Sequence, residues 1–167
     1  MENLYGCYDY YFICNQYFKI DEGSIDYAIS NNTIFFRGNF IWNWDKKLAS
    51  IYNFNLNSYK QISYSKWNKI NGMGNKTSNN AVDFNILYRI ENKFILLEYS
   101  LGLSLMSNIS LDRKTNGGFL YFNHILGIGI KYNNLKFIVR FQHYSNNGLT
   151  YPNINTNFYT LNIGLEY

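Results

Sequence analysis

Ile34-Phe35-Phe36-Arg37-Gly38-Asn39-Phe40-Ile41-Trp42-Asn43-Trp44-Asp45-Lys46-Lys47 is the stretch on which the architecture turns. Its even positions, Ile34, Phe36, Gly38, Phe40, Trp42 and Trp44, form an apolar and aromatic row, with Arg37, Asn39 and Asn43 set between them. Alternate residues of a strand share a face, so the pattern predicts a strand with one oily and one polar side. Two indoles close the oily row, where the aromatic girdle of a membrane barrel falls. The residues after them predict a tight turn at 45–48.

The same alternation recurs on both sides of this strand. Upstream, Ile25, Tyr27 and Ile29 oppose Ser24, Asp26 and Ala28, and Asn31-Asn32 makes a turn. Downstream, a third strand is expected over 49–66, then a Gly/Asn/Lys-rich loop around Asn68–Asn80. A fourth strand sets Val82, Phe84, Ile86, Tyr88 and Ile90 against Asp83, Asn85, Arg89 and Glu91. The fifth carries Ile95, Leu97, Tyr99, Leu101, Leu103 and Leu105 on one face, and the sixth Leu120, Phe122, His124, Leu126, Ile128 and Ile130. In the seventh the row runs Leu135, Phe137, Val139, Phe141, His143, Ser145, and in the eighth Asn157, Tyr159, Leu161, Ile163, Leu165, Tyr167.

Eight strands permit a closed antiparallel barrel. Connections alternate between tight ones near 45–48, 91–93 and 133–134 and long ones near 67–80, 107–118 and 146–155, as periplasmic turns and outer loops do. The face opposite the apolar rows holds Arg37, Asp83, Arg89, Glu98, Arg140 and Glu166. Both signs of charge in a confined space fit an interior ion-pair network, since buried charges need partners. The expected fold is therefore all-β, an eight-stranded antiparallel transmembrane β-barrel over 23–167, with the apolar face outward and a filled interior. Residues 1–22 form a separate N-terminal segment to which no structure is assigned.

Composition agrees. Of 167 residues, 17 are Tyr and 13 are Phe, only 16% are charged, and there is one proline. Mean hydropathy is only −0.29, because Asn and Ser interleave the apolar residues. No run of 18 apolar residues exists, which excludes a membrane-spanning helix. The net charge of +4 is mild and no dense basic stripe appears, so nucleic acid is not expected as a partner. Cys7 and Cys14 have no metal-ligand neighbours, and histidines, cysteines and carboxylates do not cluster; neither metal nor organic cofactor is expected. Glu2 and Asp9 stand where a secretory signal would carry basic residues, so no signal peptide is visible.

The chemistry concentrates at the end of the seventh strand. There an apolar row ends in His143 and Ser145, two residues apart on one face. An imidazole is a base near neutral pH, and a serine hydroxyl needs such a base to become a nucleophile. Asn146-Asn147-Gly148 just beyond can offer N–H groups to an oxyanion. The bland alternative is that His143 and Ser145 only mark where the strand leaves the membrane. His124, the other histidine, is expected to be structural.

His143-x-Ser145-Asn146-x-Gly148 followed by Pro152-Asn153, near the end of a small β-protein, resembles the outer-membrane lipid A 3-O-deacylase family (PagL type). A Trp-x-Trp-Asp-Lys segment, here Trp42 to Lys46, also occurs in that family, so the resemblance covers most of 24–167. It implies a serine esterase of the bacterial outer membrane that removes the 3-hydroxyacyl chain from lipid A, with lipopolysaccharide as substrate and outer-membrane lipids as surroundings. His143 would be the base, Ser145 the nucleophile, Asn146 and Asn153 the oxyanion hole, and Gly148 the supporting turn. Family members often carry an acid on strand eight to orient the histidine. Here the matching residue is Asn157, which can hold one tautomer but cannot stabilise an imidazolium. Two other readings stay open: a non-catalytic structural or adhesion barrel, and a soluble lipocalin-like barrel. Association as a homodimer stays open too.

Overall fold

The computed structural model describes residues 19–30, 33–70, 76–107, 119–149 and 155–167. Eight strands follow one another: β1 (Glu22–Ser30), β2 (Thr33–Ile51), β3 (Phe54–Ile70), β4 (Lys76–Glu91), β5 (Ile95–Met106), β6 (Leu120–Tyr132), β7 (Leu135–Ser145) and β8 (Asn155–Glu166). Each pairs antiparallel with its neighbours in sequence, and β1 pairs with β8 from Glu22↔Glu166 to Tyr27↔Leu161, closing the barrel. No helix among the described residues is long and apolar enough to cross a membrane.

The alternation read from the sequence sorts side chains as expected. Phe40 is 53% exposed and Leu161 64%, whereas Arg37 and Arg89 are fully buried. A soluble barrel would reverse this arrangement, so the lipocalin-like reading fails on the exposure pattern. The apolar rows form an outer belt, and the polar rows fill the lumen.

Two expected boundaries are corrected. The tight turn expected at 45–48 is not there: β2 continues to Ile51 and the chain reverses at Tyr52-Asn53. The polar run Asp45-Lys46-Lys47 is taken up by two register irregularities, between Asn43 and Asp45 and between Asp45 and Ala49. Tyr52 turns the chain at a φ of 53° without a glycine to announce it. Similarly, the loop expected around Asn68–Asn80 shrinks, because β3 runs to Ile70 and pairs with β4 up to Ile70↔Lys76. Above the membrane both faces of a strand can be polar, and composition then resembles a loop. The remaining tight connections lie at 92–94 and 133–134.

The lumen is stratified along its axis. Toward the tight-turn end, Glu22 accepts from Arg89 (2.8 Å) and from Lys136 (2.6 Å), and Lys136 also meets Glu166 at 2.5 Å. Glu98 bridges Arg89, at 3.0 Å, and Arg140, which in turn holds Asp26 at 2.9 Å. Higher up, Arg37 reaches Asp83 (3.3 Å), Gln142 (2.8 Å) and Ser63 (2.9 Å). Above these lies an aromatic layer of Phe35, Trp67, Tyr144 and Phe158, all buried. The expected interior charges are there, joined by Glu22, Asp26 and Lys136.

Gly127 makes room for one of these contacts. It sits between Glu98 on β5 and Arg140 on β7 in the pairing register. A Cβ there would stand 2.7 Å from Glu98 Cγ and 2.9 Å from Oε1. Its absence opens the path along which Glu98 reaches across β6 to Arg140.

Candidate active site

His143 and Ser145 lie on the outer wall of the barrel, at the last turns of the β7 alternation before the connection to β8. Because β7 and β8 are antiparallel neighbours, His143 is the direct register partner of Asn157, and Ser145 of Asn155. His143 Nδ1 and Asn157 Oδ1 are 2.6 Å apart. An amide oxygen only accepts, so Nδ1 carries the proton and Nε2 presents its lone pair. That is the tautomer a general base needs.

Ser145 Oγ accepts the N–H of Asn147 at 3.1 Å. This contact does not use the hydroxyl's own proton. Beyond it the chain turns sharply: Asn147 has a φ of 49° and Gly148 of 75°, and the Leu149 N–H reaches the Asn146 carbonyl at 2.9 Å. Left-handed backbone is cheap for glycine and tolerable for asparagine, which accounts for both residues. Asn146 itself is buried, its side-chain oxygen accepting from the Gly148 N–H at 3.3 Å. Asn153 and Pro152 lie outside the described residues, as do Cys7 and Cys14.

Sequence reasoning did not connect two outward residues, His124 and Tyr99, with this row. His124 on β6 is the register partner of His143 on its other side, with ring centroids 6.5 Å apart. Its Nδ1 lies 3.0 Å from the Tyr99 hydroxyl on β5. Tyr99, His124, His143 and Asn157 thus form a polar row across four adjacent strands, above the apolar belt. Each residue sat on an outward row in the sequence; the pairing register sets His124, His143 and Asn157 side by side, and Tyr99, opposite Leu126, reaches His124 on the diagonal. Polar groups facing lipid are costly unless satisfied; here Tyr99 is hydrogen-bonded to His124 and Asn157 to His143.

Nearer the tight turns the wall of β6–β8 is hollowed into an apolar groove of about 560 Å³, lined among others by Ile128, Ile130, Phe137, Val139, Leu161 and Ile163. Between groove and histidine, Phe141 and Tyr159 pack with ring centroids 5.3 Å apart. No group of three or more potential metal ligands occurs among the described residues. Chemically, the arrangement can remove a proton from a hydroxyl beside a tight turn, at an apolar surface.

Comparison with known proteins follows the same lines. The crystal structure of the outer-membrane enzyme PagL superposes with a TM-score of 0.71 at 23% identity, covering 87% of this chain and 99% of that one. The Yersinia pestis outer-membrane protein Ail, solved in a phospholipid bilayer nanodisc, gives a TM-score of 0.56 at 10% identity, covering 89% of this chain and all of Ail. These likenesses are likenesses of fold. A search of curated proteins found no match. The family model of the lipid A 3-O-deacylases (PagL) matches residues 32–166, and the chain belongs to that family.

Proposed function

We propose that the chain hydrolyses the ester at the 3-position of lipid A, using Ser145 as nucleophile and His143 as base. The observation that carries this reading is the His143 Nδ1–Asn157 Oδ1 contact on the outer wall, at 2.6 Å. The family and the barrel fold indicate the bacterial outer membrane. A lipid in the outer leaflet meets such a site from the side, its acyl chain lying along the apolar groove below.

In this mechanism His143 Nε2 takes the Ser145 proton as Oγ attacks the acyl carbonyl. The oxyanion is met by the Asn146 N–H and, as the family resemblance implies, by Asn153. His143 then gives its proton to the departing sugar oxygen. A water activated by the same nitrogen next attacks the acyl-serine and releases the free hydroxy acid. Asn157 holds the tautomer throughout but supplies no negative charge to the imidazolium. His143, Ser145 and Asn157 come from one chain, so the mechanism needs no second copy.

The test is mass spectrometry of lipid A from cells expressing the wild type or Ser145→Ala, each shown to be folded in the outer membrane. Loss of one ester-linked hydroxyacyl chain with the wild type alone is the expected result. Equal loss in both removes Ser145 from the reaction. Intact lipid A in both favours a non-catalytic barrel.

A further inference from the structure

Trp67 lies on β3, on the opposite side of the closed strand order from β7. Its side chain is fully buried and crosses the lumen. It meets the Tyr144 ring edge-on at a centroid distance of 4.9 Å and the Phe158 ring edge-on at the same distance. Tyr144 is the residue between His143 and Ser145, and Phe158 is the residue after Asn157. Because strand side chains alternate between faces, the two rings gripped inside belong to the backbone segments that present the polar row outside. One indole therefore touches both strands of the His143–Asn157 pair from behind.

The contact is anchored at both ends. The Trp67 indole N–H donates to Ser65 Oγ at 2.9 Å, fixing the ring on β3. Phe35, the register partner of Trp67 on β2, stacks on Phe158 at 4.7 Å. The Tyr144 hydroxyl donates to Asp83 at 3.3 Å, tying the far side of that ring to β4. Neither β7 nor β8 can shift inward, or slide along the other, without disturbing this aromatic layer. An imidazole held by a neutral amide lacks the charge attraction that an acid would add. Its alignment then depends more heavily on the backbone geometry of the two strands.

We propose that Trp67 is a positioning residue for the deacylation: acting through Tyr144 and Phe158, it holds β7 and β8 in the register and spacing that the His143–Asn157 hydrogen bond requires. This inference rests on the proposed role of His143, so its test includes a measurement that does not depend on turnover. Trp67 does not reach the outer wall, and lipid binding should not sense its loss.

The experiment compares wild type, Trp67→Ala and Trp67→Phe, with Ser145→Ala as inactive control, in lipid nanodiscs. Folding is verified by heat-dependent gel mobility. In Trp67→Ala, kcat is expected to fall by about 10- to 100-fold with KM unchanged, the scale on which small misplacements of reacting groups act. Trp67→Phe, which retains an aromatic ring, should recover much of the loss. In parallel, the ring-nitrogen resonances of 15N-labelled His143, assigned by their disappearance in His143→Gln, should shift in Trp67→Ala. An unchanged kcat together with an unchanged resonance overturns the inference, as does a rise in KM at constant kcat. If the wild type itself proves inactive, the deacylase reading fails, and the resonance alone decides whether Trp67 holds the pair. Should Trp67→Ala not fold, Trp67→Phe is judged by the same two readouts against wild type, with a smaller loss expected.

Discussion

Polar groups meet a water-poor environment in two places in this barrel, the lumen and the outer wall near the long connections, and the two are handled differently. Inside, full charges face full charges: Glu22, Asp26, Glu98, Arg89, Arg140 and Lys136 form a connected network at distances of 2.5–3.0 Å or closer. Outside, Tyr99 with His124 and His143 with Asn157 form two hydrogen-bonded pairs that need no charged partner. Charge is expensive to strand in a low dielectric once its partner is gone, so the lumen is built to remain as it is. In the proposed reaction, an imidazole held at Nδ1 by an amide uses its second nitrogen for chemistry. On the proposed mechanism, the lumen serves stability and the His143–Asn157 pair serves reactivity.

Three substitutions would break or sharpen this contrast. The largest effect should come from Arg140→Met, which leaves Asp26 and Glu98 short of a cation. A loss of about 3–5 kcal/mol is expected, the usual cost of removing one member of a buried pair. Urea unfolding in liposomes would measure it, while turnover per folded molecule should stay near wild type. A large loss of turnover without loss of stability would erase the separation of roles. Next comes Gly127→Ala, where the added Cβ would collide with Glu98. About 1–3 kcal/mol of destabilisation is expected, typical of overpacking, read in the same unfolding experiment. The smallest should be Asn157→Asp, which restores a negative charge beside His143. Asparagine in place of the triad acid costs up to about 10⁴-fold in one serine protease, so a rise in kcat of at least about tenfold is expected with unfolding unchanged. A fall in kcat would mean that the amide is the better partner here.

Most of the barrel could be read from alternation alone, because a period of two is hard to mistake where one face meets lipid and the other a lumen. Strands β4 to β8 show it plainly, down to Leu161 and Ile163 outward and Asn162 inward. Reading failed where that contrast of environments ends. Asp45-Lys46-Lys47 resembled a turn, and only the registers on β3 reveal irregular strand instead. Asn68 to Ile70 and Lys76 to Asn80 resembled a loop because these strand ends carry no continuous oily row. Ending the third strand at residue 66 also hid Trp67, whose contacts with Tyr144 and Phe158 join strands far apart in sequence. The candidate site was visible as a motif in His143, Ser145 and Asn146. Its width was not, since His124 joins it through register and Tyr99 through a diagonal contact with His124.

The seam where β1 meets β8 carries one more consequence. Its first register pair, Glu22↔Glu166, brings two carboxylates face to face, an arrangement that like charges resist. Lys136 of β7 stands between them, 2.6 Å from one and 2.5 Å from the other. Each carboxylate has a further cation of its own, Arg89 of β4 for Glu22 at 2.8 Å and Lys131 of β6 for Glu166 at 2.7 Å, so the closing seam is neutralised from three strands at once. Lys136, the cation that touches both carboxylates, acts as a latch on the finished cylinder.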